Sequence, residues 1–123
     1  MSSNKAFRFG PLLLTTTMTT NLLNPPAASG GVNAGSSPAF IALRHLRVSN
    51  KSGAQATFSL WLGASGANAS GTEFVGANIK VEPGAAYDWY GANARIESSQ
   101  FLVGGASATN ALTISGEGEI GLA

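Results

Sequence analysis

Cysteine is absent from this 123-residue chain, so neither a disulfide framework nor a thiolate site is open to it. Charge is scarce. Only 11% of residues are Asp, Glu, Lys or Arg, against about 25% in an average soluble domain. Seven cations and six anions leave a formal charge of +1, and no basic stripe marks a polyanion partner. Histidine occurs once, as His45, and no carboxylates stand at metal-ligand spacing around it. Long apolar runs are missing too. Leu12-Leu13-Leu14 follows Lys5 and Arg8, but a signal-peptide core needs about 7–15 apolar residues and a membrane span about 18. No window of about 11 residues carries a helical period free of Gly or Pro. The expectation is one domain with no cofactor, no metal, no nucleic-acid partner and no membrane segment.

What remains is a surface of Ser, Thr, Asn, Ala and Gly. Such a surface costs little to desolvate against a neighbour, and depletion of charge marks the cores of interfaces. The pattern fits an assembly subunit.

The stretch Ala39 to Gly63 carries the clearest order. Leu46 and Val48 alternate with Arg47 and Ser49. Ala56, Phe58, Leu60 and Leu62 alternate with Thr57, Ser59 and Trp61. Asn50-Lys51-Ser52-Gly53 lies between, and the whole reads as a β-hairpin. Its first strand changes phase, with Ile41 and Leu43 odd but Leu46 and Val48 even. A bulge near Arg44-His45 reconciles them, the alternative being burial of the upper half on both sides.

Around this hairpin the chain is punctuated by Gly, Pro and Asn. Met1 to Gly10 lacks a period and reads as an arm. Leu12 to Leu22 reads as a strand, with Thr15, Thr17 and Thr19 on its odd face, because Thr is stiff at χ1. Asn24-Pro25-Pro26 stops it, and Ala27 to Ser37 is a small-residue loop, as is Ala64 to Gly71. Phe74 to Val81 and Ala86 to Tyr90 read as strands about a Glu82-Pro83-Gly84-Ala85 turn. Short apolar pieces follow at Ile96 and at Phe101 to Val103. Ala111 to Ala123 is the cleanest half-buried strand, with Leu112, Ile114, Ile120 and Leu122 in one phase and Gly116 and Gly118 between them. Those glycines point to a bend or to another backbone passing close. The expected fold is all-β: an antiparallel, jelly-roll-like β-sandwich of about eight short strands, with an arm at residues 1–10 and the sandwich at 11–123. Leu46, Val48, Phe58, Leu60, Leu112, Ile114, Ile120 and Leu122 are the expected inward set.

Candidate chemistry does not survive its context. Gly116 to Gly121 spells G-x-G-x-x-G, but a dinucleotide site needs a helix after it. Glu117 and Glu119 share one strand face, whereas glycosidase carboxylates flank a sugar from opposite sides. His45 and the many serines come without a strained nucleophile turn. No catalytic, cofactor-binding or metal-binding residue is therefore expected, and the chain reads as no enzyme. Candidate contact residues are the arm aromatics Phe7 and Phe9, the pair Arg44 and Arg47, and the cluster Tyr87, Trp89 and Tyr90. That cluster fits a core, an interface anchor or a sugar platform.

FGP with LLTTTMTTNLLNPP from Phe9 on, then LRHLRVSNKSGAQATFSLWLGASGANASGTEFVG, YDWYG and ALTISGEGEIGLA resemble a group of small tailed-bacteriophage structural proteins, including those of Mu-like phages. The resemblance implies a non-enzymatic virion component, a minor capsid or decoration (cement) protein on the head exterior, assembled in the host cytoplasm. Its implied partners are the major capsid protein and further copies of itself, with a trimer favoured by capsid symmetry. A neck or tail position, or a carbohydrate-binding module that recognises host glycan, is the alternative. Low charge, arm aromatics and sheet edges in need of cover also favour a homo-oligomer.

Overall fold

A computed structural model describes residues 4–23, 38–97 and 100–122, with side chains except at 4, 5, 7, 38, 39, 92–94, 97 and 120–122. Eight strands lie within them: β1 (Asn4–Leu13), β2 (Asn21–Leu23), β3 (Pro38–Asn50), β4 (Ala56–Gly63), β5 (Ile79–Val81), β6 (Ala86–Glu97), β7 (Phe101–Ala106) and β8 (Leu112–Leu122). They form two four-stranded sheets, ordered β1-β8-β3-β6 and β2-β7-β4-β5. All the pairings are antiparallel.

The order has a simple origin. β1 pairs with β8, β2 with β7, β3 with β6 and β4 with β5. This is one long hairpin, with its tip between β4 and β5, rolled so that successive segments fall in alternate sheets. Every connection except β4–β5 passes from one sheet to the other. The result is the eight-stranded jelly-roll sandwich, as the strand pattern predicts.

The expected hairpin of Ala39–Gly63 is not one. β3 lies in the first sheet and β4 in the second, so residues 51–55 span the sandwich instead of turning back within a sheet. Buried Asn50 explains how. Its side-chain Nδ2 donates to the carbonyls of Ala54 at 2.8 Å and Val81 at 2.9 Å, while its Oδ1 accepts from the Ser52 N–H and Oγ. Its own N–H donates to Ala85 O, and its carbonyl accepts from Gly84 N–H. One asparagine thus ties β3's end to the crossing loop and to the β5–β6 turn. That turn has the expected form, with Gly84 at φ 72 and Ala85 N–H donating to Glu82 O. It too crosses between sheets, so β5 and β6 do not pair.

Three further expectations shift. The strand predicted over Leu12–Leu22 ends at Leu13, and Leu14–Thr20 becomes a loop whose Thr15 and Thr20 carbonyls accept from Ala106 and Gly104 of β7. The predicted arm contributes from Asn4 onward to β1, at the edge of the first sheet. The regular part of the Phe74–Val81 strand is only Ile79–Val81, because Val75 and Asn78 take positive φ. The predicted Asn24-Pro25-Pro26 stop and the Ala27–Ser37 loop lie outside the described residues.

The core fills the space between the sheets. Leu46, Val48, Phe58, Leu60, Leu112 and Ile114 are all at most 2% exposed, as their shared phase predicts. Ile120 and Leu122 lie outside the described side chains. Leu14, Leu23, Ile41, Leu43, Ile96 and Leu102 complete the interior. Gly118 of β8 sits opposite Leu43, and a Cβ there would overlap the Ala42 carbonyl. Close backbone passage is therefore the reason for that glycine.

Asn50→Ala is expected to lower stability by about 1–3 kcal/mol, since the buried Val81 carbonyl loses its side-chain donor and the Ser52 N–H its acceptor. Urea unfolding of the variant, with an unchanged m-value, measures this.

Candidate functional site

The two outer faces of the sandwich differ. On the second sheet, β7 is buried on both sides: Phe101 and Val103 pack with Trp61 outside the main core, and Leu14–Thr20 folds against Gly105. The first sheet instead turns polar side chains to solvent, and the candidate site is there.

β3 positions most of it. Pairing slips between Leu43 and His45 on both of its neighbours. On β8, two steps of β3 are set against one, from Gly118 to Glu117, so Arg44 is the extra residue of a β-bulge. The phase change at Ile41, Leu43, Leu46 and Val48 predicts this bulge. Its effect is to bring Arg44, His45 and Arg47 to one outer face. On a regular strand Arg44 and Arg47 point apart.

Register then sets a transverse row of Arg8 (β1), Glu117 (β8), His45 (β3) and Tyr90 (β6), with Ser115, Arg47 and Asp88 in the next. Asp88 is the hub. Its Oδ1 receives the Arg47 Nε–H at 2.7 Å, and its Oδ2 the second guanidinium nitrogen at 3.1 Å, a bidentate fork. His45 Nε2 also meets Oδ1 at 2.7 Å, and its Nδ1 lies 3.7 Å from Glu117 Oε1. Tyr90 stacks on the His45 ring with centroids 4.7 Å apart. Further along, Arg44 pairs with Glu119 at 2.8 Å, and the Arg95 guanidinium lies over the Phe40 ring at 3.7 Å. A half-open pit of about 170 Å³ lies among Arg8, His45, Arg47, Ser115, Gly116 and Glu117.

Hydrogen bonds from Arg47 and then His45 hold the Asp88 carboxyl at about 2, below its ordinary value, and the same carboxylate raises Arg47. No group of three or more His, Cys, Asp or Glu among the described residues is arranged to hold a metal ion.

The sequence-predicted residues divide. Arg44 and Arg47 are both on the face. Tyr87, Trp89 and Tyr90 do not form one platform, because alternation along β6 separates them. Tyr87 meets Phe58 edge-on at 5.6 Å, and Trp89 meets Phe74 at 5.1 Å, both against the core. Tyr90 stands outward, 72% exposed. Phe9, expected on a free arm, is buried within the sandwich, where its ring covers Gly116. Phe7 has no described side chain. Glu117 and Glu119 lie on the outer face, as their phase predicts, and Gly116–Gly121 lies within β8. Sequence reasoning missed Arg8, Asp88 and Ser115. The odd phase of β8 does point to Ser115, but the partners of Arg8 and Asp88 depend on which strands adjoin.

Comparison with models of protein families, with curated proteins and with solved structures found no match to this chain.

Because the Asp88 carboxyl is held below its unfolded value, its contribution to stability is fully present above about pH 4 and is lost as pH falls toward 2. Carboxyl-carbon NMR titration is expected to give a midpoint near 2 for Asp88, rising toward about 4 in Arg47→Ala. An unmoved midpoint in that variant contradicts the assigned cause.

Proposed function

We propose that this protein is a non-enzymatic virion structural subunit, a minor capsid or decoration protein seated on the major capsid protein of a tailed phage. The observation that carries the reading is the strand order β1-β8-β3-β6 with β2-β7-β4-β5. It is the roll used by viral capsid domains, and also by lectins and cupins. Fold alone does not choose among these; the sequence resemblance adds weight to the first.

Three features fit such a subunit. The described core needs neither metal nor disulfide. The loops gathered at one end of the roll, residues 14–20, 51–55, 82–85 and 107–111, carry only Lys51 and Glu82 as charges, so that end is cheap to desolvate. β6 offers a long edge strand beyond β3, which a second copy would cover. A homo-oligomer follows from this reading, with the trimer as the form that capsid threefold axes favour. A neck or tail seat would use the same features. The glycan-binding alternative draws on Tyr90 alone, since Tyr87 and Trp89 face the core.

Purified protein is expected to co-sediment saturably with phage heads prepared without it, and to have a trimer's mass by light scattering. Absence of binding to heads, with binding to tails or to host-cell glycan instead, overturns the head assignment.

A further inference from the structure

We propose that the outer face of the first sheet is the docking face of this subunit, and that it receives a protein surface carrying carboxylates. The inference rests on the virion reading and adds to it where and how the contact is made.

The chain has four arginines and three lysines. All four arginines, Arg8, Arg44, Arg47 and Arg95, stand on this one face. Of the lysines, Lys51 is in the β3–β4 loop, Lys80 is on β5 of the other sheet, and Lys5 lies on β1 of this sheet with no described side chain. Solubility alone does not sort arginine from lysine. Carboxylate recognition does, because the planar guanidinium offers a fork of donors matched to two oxygens. Protein interfaces accordingly gather Arg and Tyr and leave out Lys. Tyr90, with 72% of its surface exposed, stands among these arginines.

The face is also pre-arranged. Arg47 is held by the Asp88 fork and Tyr90 by the stack on His45, so less side-chain freedom is lost on contact. Arg8 differs. It is exposed, makes no ion pair with a described residue, and borders the pit shared with Arg47, His45 and Ser115. A partner's Asp or Glu entering the pit would meet the Arg8 guanidinium and the Ser115 hydroxyl. Glu117 at the rim opposes a second anion and admits a cation, so the fit is to a mixed protein surface. Among the described side chains, Asp88, Glu117 and Glu119 stand between the arginines. A phosphate polymer would be set against those carboxylates.

The test uses full-length protein and heads prepared without it. Arg8→Gln and Arg8→Glu are made, with Lys80→Glu on the other sheet as control, and thermal midpoints verify folding. Because Arg8 makes no ion pair with a described residue, Arg8→Gln is expected to melt as the parent does. The expected result is a loss of head affinity of about tenfold for Arg8→Gln and more for Arg8→Glu, with a steeper fall at higher salt for the parent than for either variant. Lys80→Glu is expected to bind as the parent does. If the parent binds heads and both Arg8 variants bind equally well, the docking face is wrong while the virion reading stands. If the parent binds no heads at all, the virion reading itself fails. Tight binding of the parent to duplex DNA at the same salt, abolished in Arg8→Glu, assigns the face to nucleic acid and overturns the proposal.

Discussion

Everything in the first sheet depends on β8 passing between β1 and β3 at close range. Gly118 leaves no side chain between its backbone and the Ala42 carbonyl, and Gly116 leaves room for the Phe9 ring and for Leu46. With larger residues at these places β3 and β8 could not keep their register. The outer face would then fall out of line, since Arg8, Glu117, His45 and Tyr90 are aligned only by that register. The inner glycines and the outer charges are thus two consequences of one backbone approach. Phe9 shows the same coupling from β1. Its ring takes up the volume that Gly116 does not fill, which fixes the edge strand in place and turns Arg8 outward.

How much of this was legible in the residues follows from what a two-residue period encodes. It states which side chains share a face, and there the reading succeeded: Phe58 and Leu60 are inward, Glu117 and Glu119 outward, and the phase change before Leu46 marks the bulge at Arg44. It does not state which strand lies alongside. Asn50-Lys51-Ser52-Gly53 has the chemistry of a hairpin turn, yet Asn50 bonds Val81, a residue of another strand, and the chain crosses to the second sheet. Proximity in sequence was taken for pairing, and in a rolled hairpin that holds only at β4–β5. The same limit hid the site. Asp88 becomes a hub only once β6 lies beside β3, and Arg8 joins only once β1 lies beside β8. The run Tyr87-Asp88-Trp89-Tyr90 looked like a cluster because its aromatics are consecutive, while strand alternation sends two rings to the core and one to solvent.

The sandwich is asymmetric in a way that composition alone conceals. A charge fraction of 11% describes a bland surface, but the charges are not spread evenly. The second sheet covers much of its outer side with loops and a small apolar cluster of Phe101, Val103 and Trp61. The strands of the first sheet carry every arginine and four of the six acids. Each exposed ion pair there contributes little to folding by itself, so the stability of the roll comes from the interior and from the Asn50 junction. The charged face is left free to differ without unfolding the protein.

The nesting of the strands also orders events during synthesis. β8 leaves the ribosome after the other seven strands, yet its place is inside the first sheet, between β1 and β3. Until it arrives, β1 lacks its one partner in the sheet and β3 lacks one of its two, and the most distant contacts in the chain are the last to close. A chain stalled before Leu112 therefore has no continuous first sheet and no aligned row from Arg8 to Tyr90.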